Sequence, residues 1–252
     1  MTKSLLLLGL LSFSAAAPAD TGHGHPSHNG GIKSPRDQAI LPAFDIVRTR
    51  IRVDGPSLVF EQAVQGEAGS LKPTATGQLA GSEVFSYVWP TSLDSSAVGF
   101  EAGQGTLALV LTAHPDFDDT PLYDENRDGD KTNDGNVWHS HWVVLVGDES
   151  CGPGALKVKD IPEGKQPKLP ITWPGLPLFI DSPGYEPRLK SHQVLVRVPL
   201  KDVGFSEDFR FDGVTAGLRI NDSVHNPLLC VVKVHDVASG DLSLPGKVSS
   251  HP

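Results

Sequence analysis

Several things are scarce in this chain of 252 residues. It has two cysteines, one methionine and three tyrosines, and 21 lysines and arginines stand against 30 aspartates and glutamates. The resulting net charge of −9 argues against nucleic acid as a partner, because binding phosphate needs a basic face. After the N-terminal leader no apolar run approaches the roughly eighteen residues of a membrane helix. There is no Gly-x-Ser-x-Gly elbow and no phosphate-cradling glycine loop. Ser150, next to Cys151, has no histidine partner in sequence, so a hydrolase triad cannot be argued. No long amphipathic helix, internal repeat or second domain is visible.

The N-terminus carries the marks of an export signal. Lys3 supplies the positive start, Leu5 to Phe13 the apolar core, and Ala17-Pro18-Ala19 a cleavage site before Asp20. Residues 1–19 are therefore expected to be a signal peptide, and the mature protein to be exported to the periplasm, the cell surface or beyond. Cys151 and Cys230 fit an oxidising compartment, where one disulfide is the simplest outcome; two buried free thiols are the alternative. Residues 20–42 read as a flexible arm, with His23, His25 and His28 either capturing metal weakly or merely solvated. The sequon Asn221-Asp222-Ser223 has meaning only in a eukaryotic secretory pathway.

From residue 43 to 252 the pattern predicts one all-β domain. Val47, Thr49, Ile51 and Val53 alternate with Arg48, Arg50 and Arg52, giving a strand with one wet, charged face. Apolar runs follow at 58–64, 84–89, 106–112, 137–146, 194–200, 209–220 and 228–237. Many are punctuated by Asp-Gly, Pro-Gly or Asn-Pro. Strands at this density predict an antiparallel β-sandwich or jelly roll. The proline-rich stretch 162–187 reads as a long surface connection.

Between the strands at 106–112 and 137–146 lies an acidic loop. Asp116, Asp118, Asp119, Asp124, Glu125, Asp128, Asp130 and Asp134 crowd it, against Arg127 and Lys131, so a bound divalent cation would relieve their repulsion. Asp124-x-Asn126-x-Asp128-Gly129-Asp130 resembles the first half of the EF-hand calcium loop, in which alternating short oxygen side chains turn inward and glycine permits the sharp bend. The resemblance stops there, since the flanks are strands and Gly135 stands where that loop closes with glutamate. The expected calcium ligands are Asp124, Asn126, Asp128, Asp130 and Asp134, with Asp116, Asp118 and Asp119 as further candidates for closure. A metal-free acidic turn is the alternative.

His139 and His141 follow at once. Two apart on a strand, they share a face about 6.6 Å apart, together with Val137, Val143 and Leu145. Trp138, Ser140, Trp142 and Val144 take the other face, which predicts a central strand covered on both sides. Two buried imidazoles need partners, and either a shared metal or a hydrogen-bond network supplies them. If the strands at 106–112 and 137–146 pair antiparallel, His114 lies near His139 and becomes the favoured third ligand of copper or zinc. His225 and His235 are the reserves.

His139-Ser140-His141-Trp142 resembles the zinc strand of α-type carbonic anhydrases, although no histidine follows at the spacing of that family's third ligand. The histidine pair bracketed by Trp138 and Trp142 also resembles the secreted copper-binding proteins of methane-oxidising bacteria. That resemblance implies a β-rich protein whose copper is held by two histidines and an oxidised tryptophan; tryptophans that merely pack are the alternative. The expectation is an exported, calcium-stabilised metal-binding protein for capture or delivery of copper or zinc. A metal-dependent enzyme, or a calcium-stabilised adhesion or carbohydrate-binding module, is the alternative.

Overall fold

A computed structural model describes residues 30–221 and 228–250 and the backbone of residues 25–26. The expected signal segment, His23, His28, Asp222, Ser223 and His225 lie outside the described residues. The first strands are β1 (His25–Pro26), β2 (Ile32–Lys33), β3 (Ile46–Asp54), β4 (Ser57–Val64) and β5 (Glu83–Pro90). The middle of the chain adds β6 (Thr106–Ala113), β7 (His139–Gly147), β8 (Leu156–Val158), β9 (Ile180–Asp181) and β10 (Arg188–Lys190). The last are β11 (Gln193–Pro199), β12 (Arg210–Phe211), β13 (Val214–Ile220), β14 (Leu229–Val237) and β15 (Gly246–Lys247). Among the described residues helix is limited to single short turns, as the sequence predicts.

The strands form a sandwich in which one layer is itself a barrel. The open sheet runs β1-β2-β3-β4-β11-β10. The other runs β6-β5-β13-β14-β8-β7, and β6 also pairs with β7, so six strands close on themselves, while β9 lies against β7. Two cores follow from the alternation of side chains. On β6, Leu107, Leu109 and Leu111 point toward the open sheet, into a core they share with Phe60 of that sheet and with Trp89 and Trp142 of the barrel. Ala108 and Val110 point into the barrel with Val88, Val143 and Val214. Phe60 sits edge-on to both Trp89 and Trp142, at ring centroid distances of 5.9 and 6.0 Å. Burial of each such ring contributes about 1.5–3 kcal/mol.

Cys151 and Cys230 form the expected disulfide, with their Cα atoms 5.5 Å apart. Cys230 opposes Lys157 where β14 meets β8, so the bond ties the barrel at one of its shortest pairings. The arginine stripe of β3 is not free: Arg50 and Arg52 pair with Glu61, and Arg52 also with Asp54 at 3.2 Å.

Three expectations need correction. Within the supposed arm at 20–42, Ile32 is fully buried and β2 pairs with Arg48 and Thr49, because the open sheet offers its apolar edge there. The run at 209–220 is two strands, since Asp212 turns inward to accept the Gly213 N–H and the Ser239 hydroxyl and interrupts the ladder. The connection at 162–187 does not stay on the surface. Leu178, Phe179 and Ile180 are buried, and β9 pairs with Trp142 and Val143 of β7.

Candidate metal centre

β6 and β7 pair antiparallel with Thr112 opposite His139 and Val110 opposite His141, and the acidic loop joins them. In this register His139 and His141 face the barrel interior, at the end where the chain leaves β6 through His114. The loop then folds back over that end. Asp118 accepts the N–H groups of Thr120 and Asp134, at 2.8 and 2.7 Å, and this brings the next residue, Asp119, inward. Gly135 lets the two arms of the loop touch, for a Cβ there would lie 1.7 Å from the Phe117 carbonyl oxygen.

Four side chains converge as a result. Nε2 of His139 lies 3.0 Å from Nε2 of His114 and 3.0 Å from Oδ1 of Asp119. The same Asp119 oxygen is 3.2 Å from Nε2 of His114 and 3.3 Å from Nε2 of His141. The three histidines are each 1% exposed and Asp119 6%. Among the described residues this is the one set of three or more His, Cys, Asp or Glu side chains whose ligand atoms all lie within 4.8 Å of each other.

The surroundings decide where the protons are. Nδ1 of His139 is 2.7 Å from the Val137 carbonyl, and Nδ1 of His114 is 2.9 Å from the Phe117 carbonyl. A carbonyl only accepts, so both Nδ1 atoms carry hydrogen. Nδ1 of His141 lies 3.1 Å from the Ser182 hydroxyl, which itself donates to the Asp119 carbonyl at 2.7 Å. His141 must therefore donate as well. When neutral, each ring turns the lone pair of Nε2 toward the Asp119 carboxylate. The Thr112 hydroxyl, 3.1 Å from His139 Nε2, can give one proton to this set. His141 Nε2, though 3.3 Å from Asp119, makes no hydrogen bond at all.

Three lone pairs and an anion packed together in a dry place repel each other, and a cation at their centre removes the conflict. Bonds of about 2.0–2.1 Å from a four-coordinate ion set its ligand atoms about 3.3 Å apart, close to the four separations of 3.0–3.3 Å above. Carbonyls and a hydroxyl on the far ring nitrogens are the outer partners that orient metal-bound histidines. In the metal-free protein, burial by itself raises the Asp119 carboxyl. Where those rings carry a second proton, the charges of His141 and His114, with hydrogen bonds from His114 and His139, outweigh that and hold it well below the usual carboxylate range.

His114, expected as the third ligand, thus stands with His139 and His141. Asp119, one of the candidates for closing the calcium loop, stands here. Its one sequence signal was position, in the loop that starts at His114. His235 stacks on Phe44 at 4.4 Å, away from the cluster. Both tryptophans pack in the sandwich core: Trp142 against Phe60, and Trp138 against Tyr87 with its N–H donated to the Gly69 carbonyl.

The acidic loop is organised differently from the cluster. Asp124 accepts the N–H groups of Asp128 and Gly129, at 3.1 and 2.9 Å, and Asp128 accepts the Asp130 N–H and the Asn133 amide. Gly129 makes the bend at φ 94°. Asp134 is fully buried, and its two oxygens take the N–H groups of Glu125 and Asn126, each at 3.0 Å. Asp124, Asp128 and Asp134 are thus engaged with the loop's own backbone.

No known family model, curated protein or solved structure matches this chain.

Proposed function

We propose that this is an exported metalloprotein that keeps one zinc ion at His114, His139, His141 and Asp119. The observation that carries the reading is the convergence of three buried Nε2 atoms on one carboxylate oxygen, with each Nδ1 engaged elsewhere. Three imidazoles and a carboxylate in a four-coordinate arrangement suit zinc. Copper(I) prefers sulfur donors; here both cysteines are in the disulfide and the one methionine is the first residue. Ligands exposed by 1–6% favour a resident ion over one handed on to a partner. Copper binds such donors more tightly still, so protein must be loaded without copper excess.

Elemental analysis of untagged mature protein, and of a form lacking residues 20–28, tests this. One zinc per chain in both forms, lost in His139→Ala/His141→Ala, is expected. Absence of a stoichiometric transition metal, or its retention in the double variant, refutes the assignment.

For the acidic loop we propose calcium, held by Asp124, Asn126, Asp128 and Asp130. What supports it is the curl of the chain around these oxygens and the excess of negative charge. Asp134, spent on backbone N–H groups, would brace the loop rather than bind the ion. Calcium should raise the melting temperature of wild type and not of Asp128→Ala; no calcium effect on either would remove the proposal.

A further inference from the structure

The barrel has an interior that its own side chains do not fill. Inward positions on the strands around it are held by short residues, among them Val88, Val110, Val143, Val158, Val214 and Ala216. Valine and alanine reach too little way across, and a cavity of about 70 Å³ remains. Of the side chains that line it, Thr112, His114, Asp119 and His141 are polar and all others are apolar. Three of those four belong to the metal centre, so the centre forms the polar end of an otherwise oily chamber. His141, whose buried Nε2 is without a hydrogen bond, is in this end wall. Val234 and Leu242 also line the chamber and are 51% and 40% exposed, which places its mouth at their side.

A buried water needs about two to four polar partners, which this wall offers at one end alone, and apolar chambers stay dry and accept apolar guests. The volume is about half that of a cavity known to admit benzene. We propose that the barrel interior is a binding site for a small uncharged apolar molecule of a few heavy atoms, held beside the metal against His141 and Asp119. The chamber itself stands without the ion; the placement of the guest beside a metal rests on the zinc reading above.

Xenon is the probe. Backbone-amide NMR spectra of the full mature chain, metal-loaded and chelator-treated, are recorded under increasing xenon pressure. Saturable shifts at Val110, Val143 and Ala216, without shifts in β3 and β4, are expected in the metal-loaded protein. Ala216→Leu, which extends a side chain into the chamber, should abolish them. Should that variant fail to fold, Val110→Ile adds one methyl group and should weaken xenon binding several-fold. With cobalt(II) at the centre, relaxation of the bound xenon nucleus should accelerate, and Ala216→Leu or Val110→Ile should reduce the effect. No saturable shifts in either metal state, or shifts indifferent to both substitutions, overturn the proposal. Saturable shifts in protein that binds no metal would remove the zinc reading and the guest's placement beside it, and keep the chamber. A zinc-loaded protein blind to xenon would do the reverse.

Discussion

Replacing Asp119 by asparagine separates a metal site from an ionic core cluster, because the two predict opposite signs in the absence of metal. On the zinc reading Asp119 would supply the anionic ligand, 3.0 to 3.3 Å from three imidazole nitrogens. Losing an outer partner of a metal site already costs about 10–100-fold in affinity, so loss of a ligand should cost on the order of a hundredfold or more. At a zinc concentration about a thousand times Kd the ion adds about 4.1 kcal/mol to stability, and a hundredfold weaker site leaves about 1.4. The difference, about 2.7 kcal/mol, should lower the melting temperature in zinc by about 5–10 °C for a protein of this size. In chelator at about pH 8 the sign reverses. There the wild-type carboxylate faces three lone pairs, whereas an asparagine amide turns two N–H donors toward them. Asp119→Asn should be at least as stable as wild type under those conditions. Thermal unfolding of both proteins, with zinc and with chelator, is the assay. A variant that melts lower than wild type in chelator, by as much as in zinc, would mean that imidazolium–carboxylate pairs hold the cluster and that no ion is required.

Gly135→Ala should destabilise the protein by about 1–3 kcal/mol and weaken zinc binding, since its Cβ would strike the Phe117 carbonyl that orients His114; unchanged melting and zinc affinity would contradict this. Burial raises the Asp236 carboxyl to about 6, with Asp45 and Asp37 adding to it against the Ile46 N–H it accepts. Its folded value lies above the unfolded one, so ionisation opposes folding, and stability should rise as pH falls through about 6 and level off below about 4. With allowance for partial exposure, Asp236→Asn should gain about 1–2 kcal/mol over wild type near pH 8 and nothing near pH 4, and parallel pH curves would refute it. The disulfide closes a loop of 79 residues, so Cys151→Ser/Cys230→Ser should cost about 4–5 kcal/mol in denaturant unfolding. A loss below about 1 kcal/mol would show that the β8–β14 pairing holds without it.

Much of the site was legible in local pattern. Alternation along β7 put His139 and His141 on one face and Trp138 and Trp142 on the other, because a strand's period of two leaves no other choice when both faces are apolar. The hairpin of β6 and β7 followed from their being neighbours in sequence, and it brought His114 to His139. Asp119 was not legible as a partner of these histidines. Eight acids share the loop, and the one that turns inward is decided by which N–H groups Asp118 and Asp134 accept, a three-dimensional matter. The same bonds engage Asp134 with the loop's own backbone, whereas spacing alone made it a calcium ligand.

By itself, then, the sequence determined the all-β class, most strand positions and the shared face of the histidine pair, and it favoured the single disulfide and His114 as their neighbour. All of these rest on short-range periodicity or on residue chemistry that holds wherever the chain goes. Only the tertiary structure decided that one layer closes into a barrel, for closure joins β7 to β8 and β8 to β14, whose partners lie up to 73 positions apart, as Lys157 and Cys230 do. It also decided that Asp119 and Ser182, from a loop and from the end of β9, complete the surroundings of the histidines. Last, it left the chamber behind them, because whether valines on strands distant in sequence meet or leave a gap depends on the diameter of the closed barrel, which no local pattern encodes.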